Sequence, residues 1–322
     1  MHDPLSMITP APPDAATARR IAALGYDPAA QAQELPAGCN LCGARERQVE
    51  VAHRDRYGYP TTLVVCGRCG LGYLSPRLTA GAYAHFYDRV YRPLVSAYHN
   101  RRIDAETVQG DQRAYAVQLA DFLGPWLSSP PRAILDVGGS TGVVGKILGE
   151  QLGGRVTVLD PSPGELAVAR AAGMETVAGF VEDFDPGERR WDLVLLCQTI
   201  DHLLDVGATL AALRRMTSSV GRAFVDVLDV DWVRERVGSI GRCVKVDHPF
   251  YLSRLTAEAF LGLAGFTVVA ERLAGDGHWG FVLAPGQRRP PDWPALESRA
   301  AAFLAETVPP PQWPPTPVAG TD

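Results

Sequence analysis

The sequence predicts an α/β protein in which a sheet of mainly parallel strands is covered by helices and is preceded by a small cysteine-containing module. From Arg132 onward, short apolar strands alternate with helices, a pattern typical of a parallel sheet covered on both faces. The first of these strands leads into a glycine-rich turn. Earlier in the chain, four of the six cysteines form two C-x-x-C pairs.

The composition excludes several classes of protein. The chain has 322 residues, of which 46% are hydrophobic and 21% charged, with a formal net charge of -5. This length allows one large α/β domain and a smaller one, and this composition excludes a fully disordered chain. A nucleic-acid footprint over the whole surface would need a strong basic excess. No apolar run has the roughly 18–20 residues that cross a bilayer, and no secretory signal is recognised. We therefore expect a cytoplasmic protein without a membrane segment.

Shifts in composition divide the chain into five segments. Prolines are concentrated at both ends, which predicts extended or disordered tails, although Trp293–Thr307 has helical spacing. The predicted segments are a flexible N-terminal stretch (1–37), a cysteine module (38–76), a tyrosine-rich helical leader or lid (77–130), the α/β domain (131–285) and a Pro-rich tail (286–322).

The cysteine pairs predict a metal centre. Cys39 and Cys42 form one pair and Cys66 and Cys69 the other, each followed by a glycine that permits a tight turn. Two such pairs in a chain without an export signal favour four thiolate ligands around a structural zinc ion over disulfides. A catalytic zinc would keep an open position and usually employs histidine or carboxylate. Nearby arginines leave nucleic-acid docking open as an alternative, but a solvated arginine face is the simpler interpretation.

The elements of the α/β domain follow in order from the first strand. Each apolar run of strand length is separated from the next by a helical pattern or a turn. The predicted strands are Ala133–Val137, Val156–Leu159, Glu175–Ala178, Leu193–Leu196, Arg222–Leu228, Phe266–Glu271 and Trp279–Ala284, and the predicted helices include Gly164–Ala172, Val206–Met216 and Thr256–Ala264.

The turn after the first strand predicts a nucleotide-like ligand. Asp136 ends the strand and is followed closely by Gly138, Gly139, Ser140 and Gly142, and then by a helix. Glycines let the backbone approach a ligand, and the helix N-terminus offers free N–H groups. Asp160 ends the second strand, where a carboxylate accepts hydrogen bonds from a ribose diol.

This arrangement resembles the class I S-adenosylmethionine-dependent methyltransferases, with Ser140 in place of the middle glycine of their first motif. The resemblance covers about residues 132–285 and implies a Rossmann-like, seven-stranded sheet with S-adenosylmethionine as cofactor. The dinucleotide alternative expects G-x-G-x-x-G, which G-G-S-T-G does not fit. By the resemblance, the cofactor-binding residues are Asp136, Gly138, Gly139, Ser140, Gly142, Asp160, Pro161, Glu182, Asp183, Cys197 and Gln198.

The cysteine module and the late loop resemble a narrower group. The segment after Cys69 and the tyrosines of the leader are similar to the zinc-binding leader of bacterial methyltransferases, some of which methylate carbon atoms of nucleotide-linked deoxysugars. The stretch from Lys245 to Ser253 resembles their Y-x-E-H-x-x-Y-x-S motif, in which the histidine is the proposed base. Lys245 replaces the tyrosine and Asp247 the glutamate. The resemblance implies a catalytic set drawn from His202, Asp247, His248 and Tyr251.

Several functions remain open at this stage. The leading hypothesis is C-methylation of a small molecule, such as a nucleotide-linked sugar or a natural-product intermediate, with His248 as base and His278 as a weaker candidate. An O- or N-methyltransferase of a secondary metabolite is the first alternative. An RNA methyltransferase that docks through the zinc ribbon is the second, although the near-neutral charge disfavours it. A non-catalytic scaffold that binds the cofactor is the third.

Overall fold

The computed structural model describes residues 13–104, 106–238 and 240–307. None of its helices combines the length and apolar character needed to cross a bilayer. The strands are β1 (Gln33–Glu34), β2 (Gln48–Arg54), β3 (Pro60–Cys66), β4 (Gly72–Leu74), β5 (Arg77–Leu78), β6 (Ala133–Val137), β7 (Arg155–Asp160), β8 (Glu175–Ala178), β9 (Trp191–Leu196), β10 (Thr217–Leu228), β11 (Phe250–Tyr251), β12 (Phe266–Leu273) and β13 (His278–Pro285). The helices are α1 (Ala15–Ala22), α2 (Ala80–His85), α3 (Tyr91–His99), α4 (Gln109–Leu123), α5 (Val143–Leu152), α6 (Pro163–Ala171), α7 (Val206–Met216), α8 (Val230–Val237), α9 (Arg254–Ala264) and α10 (Trp293–Thr307).

A seven-stranded mixed sheet forms the centre of the molecule, as expected for a Rossmann-like α/β fold. Its strand order is β12-β13-β10-β9-β6-β7-β8. Neighbours from β10 through β8 run parallel, whereas β13 runs antiparallel to both β10 and β12. β13 reverses because a short turn joins it to β12 without a crossover helix. The carboxyl ends of β6, β7 and β9 therefore meet at one edge, where ligands bind in such sheets.

The predicted elements of the sheet domain agree closely with the structure. Strands β6 and β8 and helix α7 have the predicted bounds. Strand β10 begins at Thr217, earlier than the predicted Arg222, because its pairing with β9 shifts register between these two residues. Helix α8 was not predicted. The leader contains α2, α3 and α4, with a short π-helical segment, Phe86–Val90, between the first two.

A second, antiparallel sheet joins the cysteine module to the loop that follows α8. Its order is β11-β4-β3-β2. Phe250 and Tyr251 of β11 pair with Tyr73 and Gly72 of β4, so a late segment of the chain completes the sheet of an early one. This pairing fixes the position of the preceding residues, including His248.

The cysteine module and the main sheet share one hydrophobic core. Leu71 and Tyr73 of the module pack in the same buried cluster as Leu135 and Leu196 of the main sheet. Burial of a leucine side chain contributes about 1.5–3 kcal/mol. The module is thus packed against the α/β domain along its own apolar face.

Both ends of the described chain contain packed helices. In the segment expected to be flexible, Asp14 is the N-cap of α1, where its carboxylate accepts a hydrogen bond from Thr17 N at 2.7 Å, and Ile21 is buried. In the predicted tail, α10 has the bounds that the helical spacing indicated. Its Arg299 pairs with Asp231 at 2.6 Å and donates to Gly70 O. Residues 1–12 and 308–322 lie outside the described residues.

Candidate functional site

The four predicted metal ligands lie together. One sulfur atom from each of Cys39, Cys42, Cys66 and Cys69 falls within 4.8 Å of the others. Cys39 Sγ is 3.4 Å from Cys69 Sγ, and Cys42 Sγ is 3.6 Å from Cys66 Sγ. These separations exceed the roughly 2.05 Å of a disulfide and are close to those between thiolates that share one tetrahedral zinc with Zn–S bonds of about 2.3 Å. The donor set therefore fits a zinc ion.

The glycine turn contains residues with left-handed backbone conformation and packs closely against a neighbouring segment. Gly138, Ser140 and Gly142 have φ values of 66°, 53° and 74°. A Cβ atom at Gly138 would lie 2.6 Å from Thr199 Cγ2, so only glycine lets the turn pass this close to the segment after β9. The turn is thereby packed directly against the residues that lead to His202.

Asp136 lies beneath the turn. It is 1% exposed, and its Oδ2 accepts a hydrogen bond from Gly145 N at 3.0 Å. Burial, with a smaller effect of the nearby Asp160 carboxylate, raises the pKa of Asp136 to about 7. Asp136 thus anchors the start of α5 from inside the fold.

Asp160 borders the turn from the side. Its Oδ2 accepts from Ser140 N at 2.9 Å, and its Oδ1 accepts from Ser162 N at 2.8 Å. Burial raises the pKa of Asp160, and these two backbone donors counteract that shift. The carboxylate therefore joins the glycine turn to the end of β7, where a ribose is bound in folds of this kind.

The other residues predicted to bind the cofactor lie around the same edge of the main sheet and differ in their solvent exposure. Asp183 and Pro161 are exposed, and Cys197 is partly buried. Glu182 accepts a hydrogen bond from Thr209 of α7. Gln198 has a φ of 49°, and its backbone N–H donates to Asp226.

The second group of polar side chains, which we call the histidine cluster, comprises Asp201, His202, Lys245, Asp247 and His248. His248 Nδ1 lies 2.7 Å from Asp201 Oδ2, and Lys245 Nζ lies 3.1 Å from His248 Nε2. The rings of His202 and His248 meet edge to face with centroids 4.4 Å apart. Two of the predicted catalytic residues are therefore in contact.

Asp247 is a buried carboxylate with an unusual environment. It is 0% exposed, and its Oδ2 lies 3.7 Å from His248 Nε2 and 4.0 Å from His202 Nδ1. Among the described residues, neither of its side-chain oxygens has a hydrogen-bond partner. Because such a group is costly to bury, a donor on a bound molecule would stabilise it.

Burial lowers the pKa of His248 to about 4, and the nearby Lys245 ammonium adds to this effect while Asp201 opposes it. His248 is therefore a neutral imidazole at pH 7, as a general base must be. Burial also lowers the pKa of Lys245, and the nearby Arg56 guanidinium lowers it further.

Asp201, His202 and His248 could offer a metal ion one ligand atom each. The Lys245 cation on His248 disfavours a second cation there.

The loop that carries His248 is held by the cysteine module. Asp55 Oδ2 accepts from Val246 N at 3.1 Å, and Arg56 N donates to Val244 O at 2.8 Å. The predicted catalytic Tyr251 hydrogen-bonds the backbone of Lys245 through its hydroxyl, which accepts from Lys245 N at 2.8 Å. Its contacts are thus those of a residue that shapes the loop.

Ser253, the last residue of the motif that contains His248, and His278, the weaker candidate base, both lie apart from the histidine cluster. Ser253 is the N-cap of α9, where its hydroxyl accepts from Thr256 N. His278 begins β13, and its Nδ1 lies 3.2 Å from Asp276 Oδ1.

Residues of the leader also contact the candidate site. The Tyr87 hydroxyl lies 2.5 Å from His202 Nδ1 and donates to Asp247 O at 2.8 Å. Arg92 of α3 lies 3.4 Å from Glu165, which in turn accepts from Ser140 Oγ at 2.8 Å. The leader thus contacts the histidine cluster directly and is linked to the glycine turn through Glu165 of α6.

Sequence patterns indicate no role for Asp201 or Asp55, and for Tyr87 they indicate only that it belongs to the leader or lid. Asp201 had a recognisable signal, because it directly precedes His202 after a buried strand. The partners of Tyr87 and Asp55 had no local signal, since they lie more than a hundred residues away.

A curated relative matches part of the chain. It is the ubiquinone biosynthesis O-methyltransferase of Bradyrhizobium diazoefficiens, 29% identical over 114 residues, which cover 34% of this chain and 44% of the relative. The chain therefore spans less than half the length of that relative.

Solved structures are similar at low identity. The PH0226 protein of Pyrococcus horikoshii OT3 is 19% identical with a TM-score of 0.47, and the match covers 54% of this chain and 90% of that one. DesVI of Streptomyces venezuelae is 18% identical with a TM-score of 0.44, over 57% of this chain and 99% of that one.

The family model described as a methyltransferase domain matches residues 108–271, which is half of the chain. The matched segment contains the glycine turn, Asp160 and the histidine cluster, together with five strands of the main sheet. On this match, the chain belongs to the methyltransferase domain family.

Proposed function

We propose that this protein is an S-adenosylmethionine-dependent methyltransferase that acts on a small molecule. The observation that carries the proposal is the contact between its two candidate sites: Gly138 of the glycine turn packs against Thr199, three residues before His202. A cofactor over the turn would present its reactive end toward the histidine cluster. Asp160 would hold the ribose, and the N-terminus of α5 would face the ligand.

The chemistry asked of the protein is modest. S-adenosylmethionine supplies a methyl group already activated on a sulfonium. The protein has to align the acceptor, exclude water and remove a proton, and alignment alone contributes about 7–11 kcal/mol. His248 Nε2 would take the proton as the acceptor atom bonds to the methyl carbon and the sulfur–carbon bond breaks. A positioned base typically contributes about 10²–10⁴-fold in rate.

Two measurements test this proposal. Calorimetric titration with S-adenosylhomocysteine should show binding to the wild type and equally to His248→Ala. Methyl transfer to a nucleotide-linked keto sugar, followed by release of S-adenosylhomocysteine, should fall about 10²–10⁴-fold in His248→Ala. The matched control is His53→Ala on β2, whose side chain is 71% exposed. Absence of cofactor binding would contradict the proposal, cofactor binding without methyl transfer would leave the scaffold alternative, and equal turnover in His248→Ala would remove His248 from the mechanism.

We propose a nucleotide-linked sugar as the acceptor, methylated on carbon. Support comes from the position of His248 beside Lys245 and the buried Asp247, which together offer a donor and an acceptor to a polyhydroxylated ring. The curated relative is an O-methyltransferase by name, and the same base would serve a hydroxyl acceptor. Hydrolysis-resistant C–CH3 signals in the product's NMR spectrum support carbon, whereas O–CH3 signals select the alternative.

We also propose that the four cysteines bind a structural zinc ion. A bound zinc ion would link the end of β3 to the turn at Cys39–Cys42. It would thereby stabilise the sheet that positions His248. Metal analysis should give one zinc per chain. Cys66→Ser should lose it and unfold at lower temperature, whereas Cys243→Ser, outside the cluster, should keep it. A metal-free protein of unchanged stability would contradict this assignment.

A further inference from the structure

Asp201 contacts the candidate base, His248, at the Nδ1 atom of the imidazole ring. The carboxylate lies in the short turn Ile200–His202 at the carboxyl end of β9, and its Oδ2 is 2.7 Å from His248 Nδ1. The His248 side chain is 7% exposed and that of Asp201 is 18% exposed. A charged hydrogen bond in such a buried setting is among the stronger polar contacts of a protein.

The contact at the other ring nitrogen of His248, Nε2, indicates which of the two nitrogens carries the proton of the neutral imidazole. Lys245 Nζ is 3.1 Å from His248 Nε2, and an ammonium group can only donate. A neutral imidazole with an accepting Nε2 carries its proton on Nδ1. That nitrogen faces Asp201, which can only accept while ionised. The contacts at the two nitrogens therefore agree on a single tautomer.

We propose that Asp201 is a positioning residue that fixes His248 as the Nδ1–H tautomer and aims Nε2 at the methyl acceptor. The catalytic part of this inference rests on the proposed function. Lys245 covers the Nε2 lone pair, so a proton from the acceptor reaches Nε2 only after the ammonium has moved aside. The proton then produces an imidazolium, which the Asp201 carboxylate stabilises, while the electron pair left on the acceptor forms the new bond to the methyl carbon.

Other charged and titratable groups face His248 and define the background of the test. They come from the turn after β9, from the loop before β11 and from the leader. His202, Lys245 and Asp247 lie against the His248 ring, and Tyr87 contacts His202 and the backbone of Asp247. Each stays in place in a variant of Asp201, so changes in the His248 signal report on Asp201.

The structural part is tested without any acceptor. In protein labelled with 15N-histidine, the wild type should show the His248 signals of an Nδ1–H tautomer and a low-field N–H proton, assigned by their loss in His248→Gln. Asp201→Asn should keep the fold, move the low-field proton upfield and lower the pKa of His248, because the negative charge is lost. The matched control is Asp88→Asn in the leader, where the side chain is 55% exposed. A proton on Nε2 in the wild type, or a His248 pKa unchanged in Asp201→Asn, would overturn the inference.

The catalytic part uses the methyl-transfer assay. Asp201→Asn should lower kcat roughly 10- to 100-fold, less than removal of the base, with KM and cofactor affinity nearly unchanged. It should also shift the acidic limb of the kcat–pH profile downward. Asp201→Glu should recover part of kcat. If Asp201→Asn leaves turnover unchanged, that result contradicts this inference but not the proposed function. An Nδ1–H signal in a wild type that transfers no methyl group supports the placement and counts against the proposed function.

Discussion

The glycine turn and the histidine cluster lie side by side, but the chain builds them in different ways. The turn comes from one continuous stretch, residues 136–145, closed by Asp160 from the next strand. The cluster combines two segments more than forty residues apart and depends on Tyr87 from the leader and Asp55 from the cysteine module. The turn is therefore defined by local backbone geometry, whereas the cluster exists only in the complete fold.

The two regions also bury their titratable groups with opposite consequences. Burial raises the pKa of Asp136 under the turn to about 7 and lowers that of His248 in the cluster to about 4. Both groups are neutral in the folded state over the intervening pH range. In the unfolded chain, Asp136 is ionised above about 3.9 and His248 is protonated below about 6.5.

The first prediction concerns the pH dependence of stability and has the largest expected effect. Between pH 4 and 7 the folded protein holds a proton on Asp136 that the unfolded chain has lost, so this contribution decreases as pH rises, by about 3–4 kcal/mol in all. His248 behaves oppositely. Its contribution is complete above about pH 6.5 and decreases by about 3 kcal/mol as pH falls to 4.

Urea unfolding of the cofactor-free protein across this pH range tests both signs. The stability difference between wild type and Asp136→Asn should decrease with rising pH, and that between wild type and His248→Gln should increase. Asp55 and His99 have shifts of the same two kinds, but they are present in every protein compared and cancel in the differences. Slopes of equal sign for the two variants would contradict the comparison.

The second prediction separates cofactor binding from proton transfer. Asp160→Ala should weaken S-adenosylhomocysteine binding about 100-fold, because it removes a charged acceptor for two ribose hydroxyls and the contact to Ser140 N. Calorimetry measures this loss. Asp183→Ala, at an exposed position, should cost less, and His248→Ala should cost nothing. A loss in His248→Ala as large as in Asp160→Ala would mean that the two regions form one binding site.

The same difference explains what the sequence could predict. The strands, the glycine turn, Asp160 and the four cysteines follow from short patterns whose meaning does not depend on distant residues. The grouping of His202 with His248 came only from a resemblance, since nothing local brings residues 202 and 248 together. The contacts of Asp201 and Tyr87 with the histidines were not predicted, because the packing of the leader and of β11 determines which residues become their partners. Helix α1 was not predicted, because the many prolines of the first segment outweighed the buried apolar position Ile21, whereas the helical spacing of Leu296 and Phe303 did predict α10.

The last prediction has the smallest expected effect and concerns the link between the cysteine module and the cluster. Asn40 lies between two of the cysteines, and its Oδ1 accepts from Val206 N at 3.0 Å, at the start of α7. Its Nδ2 donates to Asp205 Oδ1 at 3.0 Å, the N-cap of the same helix. The module therefore holds the segment that follows Asp201 and His202.

Asn40→Ala should destabilise the protein by only about 1 kcal/mol, because the bonds lost are partly exposed. Its local effect should be selective. Hydrogen exchange should become faster at Val206 and Gly207 and in the turn before them, whereas the amides of residues 138–145 should keep their wild-type rates. Gln151→Ala, at an exposed position near the end of α5, serves as the control and should change neither region. Faster exchange in the glycine turn as well would show that this turn, too, depends on the cysteine module, and would remove the distinction between a locally built site and a distantly assembled one.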